Sequence, residues 1–170
     1  MTSQTVNGNC RLGWRAALSA IVAAGLAGGA AEVAWILLYN IDMPSHAADV
    51  SRQVVFSVFS SAAVASWAPM LGILIHFALS IALTAVVGFA LWLPLARRFG
   101  PRVLVPVAMV TLLIVWKINF FVVLPILNPA FTTLMPYGVT LFSKLLFGLT
   151  AGWTLYQTIV PKAASIRRGS

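Results

Sequence analysis

Apolar residues run through this chain in four long blocks, at about 16–39, 70–93, 103–124 and 137–159, separated by polar or proline-bearing segments. Each block has the length a helix needs to cross the apolar core of a bilayer. The clearest is VLVPVAMVTLLIVWKINFFVVL at 103–124, which at about 1.5 Å of rise per residue makes a helix of roughly 33 Å. Between the first two blocks, Val50, Val54, Val58 and Ala62 recur every four residues, with Val55 and Phe59 beside them. Ser51, Arg52, Ser57 and Ser61 fall largely on another face. That spacing predicts an amphipathic helix over about 50–66, capped by Asp49, lying in the membrane interface or folded over the bundle as a lid. Proline is the expected punctuation: Pro94 closes the second block, and Pro125, Pro129 and Pro136 make 125–136 a stiff, irregular connection. Residues 1–13 read as a short flexible cytoplasmic tail and 161–170 as a basic one. The pattern predicts an all-α, polytopic integral membrane protein. Its membrane domain, 14–160, holds four transmembrane helices plus one amphipathic interfacial helix.

Composition sharpens the class. The chain is 61% hydrophobic and 8% charged, against roughly 25% charged in soluble domains. A net charge of +8 would suggest nucleic acid in a soluble protein, but no basic run here is interleaved with base-stacking aromatics, so no nucleic-acid partner is expected. The basic residues instead flank the apolar blocks. Arg11, Arg15, Arg97, Arg98, Arg102, Lys162, Arg167 and Arg168 fall on one side of a four-span topology, and Arg52 alone on the other. Lys and Arg are retained on the cytoplasmic side, so both termini are expected there, in the inner membrane of a bacterium. Arg15 before an Ala-rich run ending near GGAA also fits a cleaved signal peptide, but the apolar stretch continues past Glu32 through VAWILLY. That is longer than a signal core, so a retained span is expected. Cys10 is the single cysteine; it offers no internal disulfide or Cys-x-x-Cys pair, and cytosolic placement would keep it reduced.

Each predicted span carries one ionisable residue. Glu32 lies seven residues before Tyr39, His76 seven after Pro69, Lys117 eight before Pro125 and Lys144 seven after Tyr137. All four are therefore expected roughly 10 to 12 Å below the outer boundary, in one layer. Helix faces agree: Gly72, His76, Ser80, Thr84 and Gly88 fall at successive i+4 positions, as do Thr140, Lys144, Gly148, Gly152 and Tyr156. Glu32 shares its face with Ala24 and Gly28, and Gly25 with Gly29 adds a GxxxG step. Such small-residue stripes let helices pack closely in lipid, aiming the charged groups into the bundle.

Glu32, His76, Lys117 and Lys144 are thus the candidate ligand-binding residues, joined by Asn119, Ser80, Trp35 and Trp116, with Phe120 and Phe121 as further walls. Three readings stay open. One is a purely structural ion pair fixing helix register. Another counts one carboxylate against two ammoniums and an imidazole, an excess of positive charge that an anion would complete. A third is a short proton relay through His76. No phosphate loop or metal-spaced His pair is present and acids are few, so no catalytic residue, metal or cofactor is expected. The leading expectation is a protein that binds or helps transport an anionic solute, a lipid head group or a quinone-like ligand. The alternative is a non-catalytic accessory or assembly subunit. Transport would require a homo-oligomer, since four helices leave little room for a gated pathway.

The stripe His76-x-x-x-Ser80-Ile81, the run Leu141-Phe142-Ser143-Lys144-Leu145 and the run Gly25-Leu26-Ala27-Gly28 resemble small uncharacterised bacterial inner-membrane proteins of the YagU-like kind. The resemblance covers about a third of the chain. It implies a four-helix inner-membrane protein and supplies no activity. Where that family is expected to have a His in its last span, this chain has Lys144, so no metal or proton role is carried over.

Overall fold

Polar backbone groups away from water must bond within their own segment, which makes long apolar blocks helical. The structure, a computed structural model, describes residues 13–168, with side chains for all of these except 44, 45 and 160–168. Among them there are helices and turns and no strand. In chain order come α1 (Trp14–Tyr39), α2 (Pro44–Phe56), a 3-10 turn (Ser60–Val64), α3 (Ala68–Val87), a π segment (Gly88–Trp92) and α4 (Leu93–Phe99). A 3-10 turn (Pro101–Val103) leads into α5 (Leu104–Ile118), a second π segment (Asn119–Val123), α6 (Leu124–Leu127), α7 (Pro129–Leu134) and α8 (Tyr137–Arg168). Four continuous rods, Trp14–Tyr39, Ala68–Phe99, Pro101–Leu127 and Tyr137–Ile159, are long and apolar enough to span a membrane. The expected N-terminal tail lies outside the described residues except for Gly13, and the expected basic tail continues α8 as far as Arg168.

The prolines do not act as sequence reasoning expects. Pro94 and Pro125 each lie inside a rod, two residues beyond the end of a π segment. A proline inside an α-helix lacks an N–H and its ring presses on the carbonyl four residues earlier. Here that carbonyl belongs to Ala90 or Phe121, both within the widened π turn, so the helix runs on instead of ending. The two sites share the spelling Phe-x-x-x-Leu-Pro, at Phe89–Pro94 and at Phe120–Pro125. The segment after Pro125 is also more regular than expected: Pro129 sits in the first turn of α7, where a missing N–H costs nothing. Gly100, at φ 89°, takes the left-handed turn that reverses the chain between the second and third rods.

The amphipathic element also differs from its expected form. The helix occupies Pro44–Phe56, not 50–66, with Pro44 in its first turn. Asp49 is mid-helix and caps nothing; Met43 holds the N-cap position. The helix ends where the Ser57 hydroxyl donates back to the Gln53 carbonyl (2.9 Å), and the Arg52 guanidinium then draws in the following 3-10 turn through the Ala65 carbonyl (3.0 Å). Val55 is its fully buried residue, whereas Val58 is exposed. α2 is not loose on the surface. The His46 ring donates to the Asn40 side chain at the end of α1, and the Asn128 amide donates to the Gln53 side chain at 2.9 Å. A Cβ at Gly72 would collide with the Ser51 carbonyl, so α2 presses directly on the start of α3.

The rods pack in the order α3, α1, α8, α5. Small residues set the close approaches: a Cβ on Gly25 would lie 2.8 Å from the Ile81 Cα, on Gly148 2.8 Å from the Met109 Cα, and on Gly152 2.8 Å from the Val105 Cα. Gly28 faces the Phe147 ring, Gly29 faces Ser80, and Gly88 has Ile21 beside it. The second and third rods meet where the Trp92 indole donates to the Thr111 hydroxyl at 3.2 Å, beside a core of Ile21, Leu104, Leu112, Phe147 and Leu155. The bundle therefore has a basic end, with Arg97, Arg98 and Arg102 around Gly100, and an opposite end capped by α2 and α7.

Candidate functional site

α1 is buried along a face of Ala17, Ala20, Ile21, Ala24, Gly25, Gly28 and Gly29, and Glu32 continues that face towards the capped end. Small neighbours leave room for a carboxylate between helices. Only 5% of Glu32 is exposed, and an isolated charge so placed would be costly. α8 supplies the answer. Lys144 Nζ lies 2.7 Å from Glu32 Oε1 and 2.8 Å from Oε2, and the Ser143 hydroxyl is 3.0 Å from Oε1. The Ser143 hydroxyl is also 2.8 Å from the Thr140 carbonyl; having one proton, it favours the charged acceptor. The Lys144 ammonium further sits 5.8 Å from the centre of the Phe147 ring.

α3 completes the cluster. His76 Nε2 is 3.3 Å from the Gly29 carbonyl and 3.9 Å from Glu32 Oε2. The carbonyl can only accept, so Nε2 carries the proton. One turn along, Ser80 is buried against Gly29. The cluster thus unites α1, α3 and α8, and its one carboxylate is matched by one ammonium and a hydroxyl.

Lys117 does not join it. Trp116 turns into the bundle, where its indole donates to the Thr140 hydroxyl at 3.0 Å. The next residue is rotated by about 100° around the helix, so Lys117 is exposed on the outer face of α5. It makes no ion pair or side-chain hydrogen bond among the described residues. The expected excess of positive charge inside the bundle is therefore not found at Glu32. Asn119 begins the second π segment, half-buried and away from the cluster. Trp35 bridges α1 to α8 through the Val139 carbonyl (3.1 Å) and packs on Phe142. Trp116, Phe120, Phe121 and Tyr137 form an aromatic group of their own near the capped end.

Sequence reasoning missed Ser143 as a partner of Glu32, although a hydroxyl directly before Lys144 was a visible signal. It also missed the buried Asn128, whose role depends on α2 folding back over the bundle and has no local signature. Among the described residues, no group of three or more His, Cys, Asp or Glu could hold a metal. Comparisons with protein-family models, with curated proteins and with solved structures find no match for this chain.

Proposed function

We propose that this chain is a multi-pass protein of a bacterial inner membrane, with both termini cytoplasmic, that serves as a non-catalytic accessory or assembly subunit of a larger membrane complex. The observation that carries this reading is the saturation of Glu32. An internal anion site requires an unmatched cation, and Lys144 already spans both carboxylate oxygens. Glu32, Lys144 and Ser143 act as a clasp that holds the register of α1 against α8, a role for which buried polar groups are known. The YagU-like resemblance accords with a small four-helix protein of this kind.

The outer face of α1 supplies a docking surface. Ser19, Ala23, Ala30 and Ala34 are exposed there, with Ala16 and Ala27 half-buried on the same stripe. Small residues at this spacing allow a second helix to approach closely in lipid. The inner face of α1, with Gly25, Gly28 and Gly29, is already used within the bundle. The test is purification from native membranes in mild detergent. Wild-type protein should carry a stoichiometric second membrane protein, and Ala30→Phe should lose it while melting at the same temperature as wild type. A wild-type protein that emerges alone, even after crosslinking in the membrane, contradicts the accessory role.

A further inference from the structure

Away from the arginines at the basic end, Lys117 is the one cation among the described residues of the rods without an internal partner, and it stands at the end of a groove. Leu91, from the first π segment, and Pro106, Val107, Val110, Thr111 and Ile114 line an open apolar channel of about 290 Å³ on the outside of the bundle. Val107, Val110 and Ile114 lie along one face of α5, and Lys117 continues its edge, two turns beyond Val110. Phe121 follows one turn later on the Lys117 side and stacks on Tyr137, with ring centres 5.5 Å apart. Tyr137 opens α8 at the capped end and is exposed. From the basic end towards the capped end, this surface therefore presents an apolar slot, a cation and an aromatic pair.

We infer that this surface binds one anionic glycerophospholipid of the leaflet at the capped end, with an acyl chain in the groove and the phosphate at Lys117. The charge decides the occupant. A lysine stem can run along Phe121 and set its ammonium at the level of Tyr137, where aromatic side chains mark the membrane interface. The phosphodiester there supplies the negative charge that the chain does not provide. A second copy is a poor alternative: the only acid in its rods, Glu32, is buried against Lys144, and symmetric docking on this face would bring two Lys117 side chains together. The inference rests only on the four rods crossing a membrane and is independent of the accessory role, which uses α1.

The test measures retention of phosphatidylglycerol and phosphatidylcholine on the purified full chain by native mass spectrometry, with glycerol phosphate added in a parallel arm. Wild type should retain one phosphatidylglycerol in preference to phosphatidylcholine. Lys117→Met should reduce that retention about five-fold, the scale of one basic residue at an anionic surface. Val110→Trp, which fills the groove and leaves Lys117 in place, should reduce retention of both lipids. Both positions are exposed, so a melting curve confirms that each variant is folded. Unchanged retention in Lys117→Met overturns the inference. So does displacement of the lipid by glycerol phosphate at equal concentration, which would reduce the site to a head-group contact, or a dimer that Lys117→Met dissociates. A lost partner complex with intact lipid binding would indict only the accessory role.

Discussion

At the scale of single residues, the deciding contact is the one between Lys144 and both oxygens of Glu32, at 2.7 and 2.8 Å. Ser143 adds a hydrogen bond to a charged acceptor, an interaction worth about 1.5 to 3 kcal/mol. Ser143→Ala should therefore lower stability by about that amount in a detergent melting series, whereas Ser19→Ala, on the outer face, should be nearly silent. Lys117→Met should also be nearly neutral in detergent, because Lys117 is exposed and has no ion-pair partner to lose among the described residues. A large loss there would show that Lys117 turns inward. The inward facing of Glu32, His76 and Lys144 was legible in the sequence because each sits on a stripe of small residues that helix packing must bury. Lys117 has no such stripe. Trp116 and Lys117 are adjacent, and only one of them can face α8. The indole won because it reaches Thr140 while burying a large apolar surface.

Between elements, the helix contacts turn on small side chains whose replacement has a calculable direction. Any Cβ on Gly148 meets the α5 backbone at Met109, so Gly148→Leu must push α5 and α8 apart. Overpacking of this kind costs about 1 to 3 kcal/mol. Leu149, 41% exposed, faces away, and Leu149→Ala should cost much less. The opposite order in the same melting series would mean that α8 is rotated relative to this arrangement. The existence and approximate bounds of the four rods were readable from hydrophobic runs alone. Their ends were not, because the fate of Pro94 and Pro125 depends on whether the preceding turn can widen, which neighbouring packing decides. α2 escaped for a similar reason. Of the apolar face read over Val50, Val54, Val55, Val58, Phe59 and Ala62, the helix and its tertiary anchors at Gly72, Asn40 and Asn128 bury Val55, while Val58 and Phe59 lie beyond the helix end and are exposed.

For the whole molecule, four rods long and apolar enough to span a membrane alternate in direction, and the positive-inside bias predicts that the basic end is the cytoplasmic one. Arg97, Arg98 and Arg102 lie at the basic end, together with Arg15 at the start of α1. With Cys10 replaced by Ser, single cysteines at Ser3 and Ser170 should resist a membrane-impermeant thiol reagent added to intact cells, while one at Pro129 should react. Labelling at Ser3 or Ser170 would invert the topology. Topology leaves open the charge of the bundle interior, which separates a clasp from an anion site. Two lysines compete for the single carboxylate within the rods, and the structure pairs it with Lys144. The most direct test is a pair of double-mutant cycles, read as stability of Glu32→Gln combined with Lys144→Met or with Lys117→Met. Removing Glu32 alone should cost about 3 to 5 kcal/mol by leaving a buried cation unpaired. Adding Lys144→Met should restore much of that loss, giving a coupling at least as large as the stability regained, whereas adding Lys117→Met should leave the loss unchanged. Coupling to Lys117 in place of Lys144, or to neither, would contradict the assignment and the clasp built on it.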